Sequence, residues 1–174
     1  MLDPLPADAT PEDRHARHAE VADRIGGLLD GEPDWVAALA TVACELHHAF
    51  AAWHWTGFYR CVVDHPTEGQ LVVGPYQGGH GCLRISFDRG VCGAAARERR
   101  TQLVPDVEAF PGHIACSGTT RSEIVVPVLT PTGRLLAVLD IDSDHPAAFD
   151  ALDQAHLEAL AATLGAQFAD VTSP

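Results

Sequence analysis

Apolar residues recur every three or four positions in three stretches of the chain, which is the spacing of amphipathic helices. The first stretch follows Thr10-Pro11-Glu12-Asp13, where a capping hydroxyl, a proline and two acids favour a helix start. This helix is predicted to end near Leu29, before Asp30-Gly31. The second helix follows Glu32-Pro33, and the last begins near Asp150. The apolar faces of these two helices are Trp35, Leu39, Val42, Leu46 and Phe50, and Leu157, Leu160, Leu164 and Phe168.

Between the second and the last helix the pattern changes to that of β-strands. Residues 55–63, 71–76 and 83–87 are rich in aromatic and β-branched side chains and predict three strands. Residues 91–100 then predict a short helix, and residues 102–104 predict a short strand.

A hairpin is predicted from residues 123–129 and 134–141, around the turn Thr130-Pro131-Thr132-Gly133. Residues 105–121, before it, predict a long irregular loop, and such loops often carry function. The order of these elements predicts one α+β domain, with a mainly antiparallel central sheet and helices packed against it.

Composition limits the classes of partner that the chain can have. A length of 174 residues with 47% hydrophobic content suits one domain over residues 10–174, with residues 1–9 as a flexible leader. A formal charge of −13 repels nucleic acid and anionic lipid, so both are poor partners. No signal peptide or apolar run of about 20 residues is visible, so the expected compartment is the cytoplasm. Five cysteines, an odd number, argue there against a structural disulfide framework.

Three of the cysteines lie in glycine-rich contexts. Cys82 follows Gly-Gly-His-Gly, Cys92 stands in Arg-Gly-Val-Cys-Gly, and Cys116 follows Gly-His-Ile-Ala. A thiolate is a strong nucleophile, and a second thiol can resolve its oxidised product as a disulfide, so the pattern indicates redox chemistry on a small polar molecule. Zinc binding is disfavoured because no Cys-x-x-Cys pair exists. His80 and His113 either help to hold a thiolate or are ordinary polar loop residues.

Three acids are predicted to meet at one end of the hairpin. Side chains alternate along a strand, so Val138, Asp140 and Asp142 share one face, and Glu123 begins the partner strand at the same end. Acids placed together raise one another's pKa and attract cations. The group is either a site for an ammonium group or a solvated strand end. A calcium loop from Asp140 is excluded, because its sixth and twelfth positions are His145 and Ala151 rather than glycine and glutamate.

Trp55, Gly57 and Tyr59 share one face of the first predicted strand, and the glycine leaves space between the two aromatic side chains. This arrangement is typical either of an aromatic wall for a methyl or ammonium group or of ordinary core packing.

Taken together, these motifs resemble those of the free methionine-(R)-sulfoxide reductases, a family of GAF domains, over residues 35–168. The motifs that carry the resemblance are Trp55-Thr56-Gly57-Phe58-Tyr59, Gly74-Pro75-Tyr76-Gln77-Gly78, Arg89-Gly90-Val91-Cys92-Gly93, Gly112-His113-Ile114-Ala115-Cys116, Ser122-Glu123-Ile124-Val125 and Val138-Leu139-Asp140-Ile141-Asp142-Ser143. The resemblance implies a single GAF-like domain that reduces free L-methionine (R)-sulfoxide with thioredoxin, without a cofactor or a metal.

The resemblance also implies a role for each site residue. Cys116 is the expected nucleophile, which becomes a sulfenic acid, and Cys82 is the expected resolving thiol, which closes a Cys82–Cys116 disulfide for thioredoxin to reduce. Cys92 matches the third family cysteine and has an auxiliary role. Trp55 and Tyr59 surround the substrate methyl, while the three acids hold the ammonium group and protonate the departing oxygen.

Two other functions remain open at this stage. A non-catalytic GAF module would use the same disulfide as a redox switch or bind a ligand, although such a sensor normally carries an output domain, for which 174 residues leave no room. A structural zinc protein would lose its fold with a chelator. Assembly as a homodimer is compatible with the sequence.

Overall fold

The structure, a computed structural model, describes residues 2–65, 68–114 and 117–171. Over these residues the chain forms four α-helices, six β-strands and one short 3₁₀ turn. In chain order the elements are α1 (Pro11–Leu28), α2 (Trp35–Ala49), β1 (Trp55–Val63), β2 (Gln70–Gln77), β3 (Arg84–Ser86), α3 (Gly90–Glu98), β4 (Gln102–Val104), the 3₁₀ turn (Val107–Ala109), β5 (Ser122–Leu129), β6 (Leu135–Ser143) and α4 (Ala151–Gln167).

The strands form one sheet in the order β3-β2-β1-β6-β5-β4, and every described neighbour pair is antiparallel. The predicted α+β architecture is therefore confirmed. Side-chain alternation divides the core into two parts. Phe58, Leu139 and Ile141 face the layer formed by α1, α2 and α4, whereas Tyr59 and Val138 face α3.

Local capping chemistry explains where the long helices begin. The Thr10 hydroxyl accepts a hydrogen bond from the backbone N–H of Asp13, and Asp34 does the same for Ala37 at the start of α2. Asp150 and Asp153 form a reciprocal capping box at the start of α4. The predicted starts of these three helices are confirmed.

One predicted helix end and one predicted loop differ from the structure. The third helix ends at Glu98 rather than Arg100, because Arg99 adopts the left-handed conformation with φ at 56° and so terminates the helix. Residues 105–121 are not wholly irregular, since the Asp106 side chain accepts a hydrogen bond from the N–H of Glu108 and caps a 3₁₀ turn.

The residues before α1 contact the body of the domain. Leu5 forms an isolated bridge with Phe50, in which the Leu5 N–H donates to the Ala49 carbonyl at 2.8 Å. The division into a flexible leader, residues 1–9, and a domain, residues 10–174, stays a prediction. Within the part of the chain that the structure describes, no helix is long and apolar enough to cross a membrane. The cytoplasmic location also stays a prediction.

Candidate active site

A pocket lies on the sheet face that α3 covers, at the end where β1 begins and β6 ends. It encloses about 40 Å³. The described residues that line it are Trp55, Tyr59, His80, Gly81, Ile85, Gly90, Val91, Cys92, His113, Ile114, Ser117, Thr120, Glu123, Asp140 and Asp142. Strand ends, the first turn of α3 and two loops thus converge on one small volume.

The three acids predicted to meet do so in this pocket. Glu123 pairs with Asp142 across β5 and β6, and Asp140 follows on the same face of β6. Glu123 is 6% exposed and Asp140 is 5% exposed, whereas Asp142 is half-buried. The alternative of a solvated strand end is therefore wrong for Glu123 and Asp140.

The electrostatic surroundings of these acids favour their protonated forms. Burial, followed by repulsion from Asp140 and Asp142, raises the pKa of Glu123 well above its ordinary value. Burial and the neighbouring Asp140 do the same to the pKa of Asp142. Burial raises the pKa of Asp140 to about 7, and hydrogen bonds with Cys92 and Glu123 limit that rise. Among the described lining residues there is no arginine, and the chain contains no lysine.

Cys92 lies in the first turn of α3, where it contacts two of the acids. Its Sγ lies 4.0 Å from Glu123 Oε1, and the donor atoms of Cys92, Glu123 and Asp140 all lie within 4.8 Å of one another, close enough to hold a cation. Burial and the nearby carboxylates raise the pKa of the Cys92 thiol well above its ordinary value. A neutral buried thiol is a poor nucleophile, which favours the auxiliary role expected for Cys92.

An aromatic wall closes one side of the pocket. The ring centroids of Trp55 and Tyr59 lie 5.7 Å apart, and Tyr76 also stacks on Trp55, with its centroid at 5.3 Å. A Cβ atom at Gly57 would collide with Tyr76 and come within 2.8 Å of Trp55 Cη2, so only glycine fits there. The Trp55 indole N–H donates to the Gly79 carbonyl at 3.1 Å. The predicted grouping of Trp55 and Tyr59 is confirmed.

Of the two cysteines expected to form the redox disulfide, Cys82 lies among the described residues and Cys116 does not. Cys82 is half-buried and disulfide-bonded. Cys116 lies outside the described residues, so the Cys82–Cys116 pairing stays a prediction. On the two sides of that gap, Ile114 and Ser117 line the pocket. Cys44 and Cys61 are free thiols outside this lining, on α2 and β1.

Sequence reasoning missed a support of the aromatic wall. Tyr76 is not among the described lining residues but stacks on Trp55, a contact that depends on the register between β1 and β2. The sequence leaves two interpretations of His80 and His113 open, and the structure shows that both residues line the pocket. Their positions near Cys82 and Cys116 in the sequence were the one signal that pointed to the site.

Comparisons with known proteins agree with this geometry. The GAF domain family matches residues 30–167, so the expected GAF-like fold is confirmed. The free methionine-R-sulfoxide reductase of Saccharomyces cerevisiae is 45% identical over 139 residues, which are 78% of this chain and 76% of that protein. The Escherichia coli protein of the same name is 37% identical over 147 residues, covering 84% of this chain and 86% of its own length.

A solved structure extends the likeness to three dimensions. The X-ray structure of free methionine-R-sulfoxide reductase from Neisseria meningitidis, in complex with its substrate, superposes with a TM-score of 0.83 at 44% sequence identity. The superposition covers 97% of this chain and 96% of that one.

Proposed function

Because the chain belongs to the GAF-domain family of free methionine-R-sulfoxide reductases, we propose that it reduces free L-methionine (R)-sulfoxide to L-methionine, with thioredoxin as the reductant. The observation that carries the proposal is a pocket with three acids, no arginine among its described lining residues, and an aromatic wall. A free amino acid supplies the missing cation as its ammonium group, and the methyl group of the sulfoxide suits the wall.

Asp140 is the acid that we assign to the ammonium group. Its Oδ1 is buried and has no hydrogen-bond partner among the described residues, so an incoming N–H donor would satisfy it. Burial raises its pKa to about 7, so this carboxyl can ionise near neutral pH when an ammonium group lies beside it. An ionised carboxylate opposite an ammonium group forms a strong, charge-assisted hydrogen bond.

Glu123 and Asp142 are then the proton donors. Burial and the neighbouring carboxyl groups raise their pKa values and so favour the protonated forms, and a protonated carboxyl can donate to the sulfoxide oxygen as charge develops on it. The neutral Cys92 thiol, beside Glu123, holds that carboxyl in place without reacting itself.

The redox steps balance with two cysteines and one dithiol. Cys116 attacks the sulfoxide sulfur, which is reduced by two electrons, and the oxygen passes to Cys116 as a sulfenic acid while methionine leaves. Cys82 attacks the sulfenic sulfur, and the oxygen departs as water when the Cys82–Cys116 disulfide forms. Thioredoxin then reduces this disulfide by thiol exchange and becomes oxidised itself.

We propose that the segment before Cys82 moves when the substrate enters, because its residues His80 and Gly81 line the pocket. Gly81 closes on the wall, since a Cβ atom there would lie 2.7 Å from Tyr59 Oη. The glycines around His80 give this segment the conformational freedom to open.

The test is NADPH consumption with thioredoxin and thioredoxin reductase, comparing three substrates. We expect turnover of free methionine (R)-sulfoxide, and no turnover of the (S) epimer or of a peptide-bound sulfoxide, whose backbone amide lacks the positive charge. Absence of turnover with all three, starting from reduced protein, would contradict the proposal and favour a GAF redox sensor.

A further inference from the structure

Two histidines connect α1 to α4, in the helix layer on the opposite face of the sheet from the pocket. Nδ1 of His15 and Nε2 of His156 lie 3.0 Å apart, so one imidazole donates a hydrogen bond to the other. His15 is exposed and His156 is half-buried. The proposed reductase chemistry does not use this pair, and α1 precedes residue 30, where the match to the GAF domain begins.

The separation of the two nitrogens is that of adjacent ligands on one metal ion. With metal–nitrogen distances of about 2.0–2.1 Å, two nitrogens 3.0 Å apart subtend an angle of roughly 95° at the ion. Square-planar and octahedral ions prefer angles near 90°, whereas tetrahedral zinc prefers about 109°. We propose that His15 and His156 form a binding site for a divalent transition-metal ion of square-planar or octahedral preference, such as Ni²⁺ or Cu²⁺, which clips α1 to α4.

The surrounding contacts hold the pair in place before any ion binds. The ring of His18 stacks on that of His156 with centroids 4.6 Å apart and planes 6° from parallel. His18 Nε2 lies 2.9 Å from Asp153 Oδ1, and Arg14 contacts both Asp153 and Asp150. Because these bonds fix α1 against α4 next to the pair, little conformational entropy is lost when a metal binds.

Exposure and charge favour an ion at this position. Since His15 is exposed, water can occupy the remaining coordination positions. The net charge of −13 attracts cations. The imidazole that donates in the pair moves its proton to its other ring nitrogen when both facing nitrogens bind the ion, so a neutral pair binds without net loss of a proton. An ion that binds the docked helices and not the unfolded chain stabilises the fold by mass action.

The test is calorimetric titration of the full, untagged chain with NiCl₂ after treatment with EDTA and dialysis. We expect one Ni²⁺ ion bound per chain in addition to any weaker sites, and a higher melting temperature with the metal. His15→Gln and His156→Gln should each lose this binding and the metal-dependent rise. The matched control is His48→Gln, which removes an imidazole 3.8 Å from Cys44 Sγ on α2 and should leave both unchanged.

Each other outcome contradicts the proposal. Absence of Ni²⁺ binding by the unmodified chain, binding by His15→Gln or His156→Gln that equals that of the unmodified chain, or loss of binding in His48→Gln would overturn it. Zinc that binds as tightly as nickel would contradict the inferred angle. If His156→Gln melts at a lower temperature than the unmodified chain in EDTA, the substitution has destabilised the fold without metal. The exposed His15→Gln variant alone then tests the metal site.

Discussion

Asp153 and Asp140 are both buried carboxyl groups, at 1% and 5% exposure, but their neighbours differ in charge. Asp153 is held by Arg14 and His18 and accepts the backbone N–H of Asp150. Asp140 instead faces Glu123, Asp142 and a neutral thiol. An acid paired within its own chain joins elements of the fold. An acid buried among acids opposes folding, and its presence is explained by a ligand that supplies the cation.

The largest expected effect comes from replacing Cys116, the nucleophile that we propose. Cys116→Ser should lower turnover by roughly 10⁴-fold or more, because Cys92, the thiol among the described lining residues, is buried with a raised pKa and is a poor nucleophile. Cys82→Ser should release one equivalent of methionine and then stall with thioredoxin, which quenched single-turnover assays measure. Cys44→Ser is the control and should keep full activity. Normal turnover by Cys116→Ser would show that the pocket acids serve a different reaction.

The paired acid is tested by stability rather than by activity. Asp153→Asn removes the buried carboxylate charge that His18 and Arg14 contact, although Arg14 keeps Asp150, and should cost about 3–5 kcal/mol of unfolding free energy. At about 2–4 °C per kcal/mol, the melting temperature should fall by roughly 6–20 °C. Thermal unfolding measures this effect, with the exposed Asp23→Asn on α1 as the control. An unchanged melting temperature would show that Asp153 does not stabilise the fold and would contradict the contrast with Asp140.

Replacing Asp140, the unpaired acid, should reduce the loss of stability at high pH, whereas replacing Asp153 should lower stability. Since the pKa of Asp140 is raised to about 7 on folding, the folded state holds its proton more tightly than the unfolded chain. That contribution to stability is full below about pH 4, the unfolded value, and is lost as the pH rises through 7. Asp140→Asn, which cannot ionise, should therefore lose less stability than the unmodified chain between pH 5 and pH 8.

Urea unfolding at these two pH values measures the difference. The groups that face Asp140 are Cys92, Glu123, Asp142 and Tyr59, and removing its charge relieves their repulsion in the same direction. An equal pH dependence in the two proteins would contradict the raised pKa of Asp140.

The smallest expected effect concerns the wall beside the acids. Trp55→Phe keeps an aromatic ring but offers less apolar area to the substrate methyl group, which should raise KM by roughly fivefold, equivalent to about 1 kcal/mol. Steady-state kinetics measure it, with Trp53→Phe in the other core as the control. A change in kcat alone would place Trp55 in the chemistry rather than in substrate binding.

Local patterns predicted most of this architecture because they depend on neighbouring residues. The alternation of Val138, Asp140 and Asp142, and the turn opposite Glu123, were enough to bring the three acids together. The contact of Cys92 with Glu123 spans 31 positions and depends on how α3 packs on the sheet. The left-handed Arg99 and the stacking of Tyr76 on Trp55 likewise depend on tertiary packing, which no local pattern encodes.

The central claim is that the acid pocket recognises the ammonium group of a free amino acid. The most direct test compares free methionine (R)-sulfoxide with its N-acetyl derivative, which lacks that charge. We expect kcat/KM to fall by about 30- to 1,000-fold on acetylation, equivalent to 2–4 kcal/mol for a lost buried charge pair. In Asp140→Asn the two substrates should differ little. Equal kcat/KM for both substrates with the unmodified protein would contradict the claim.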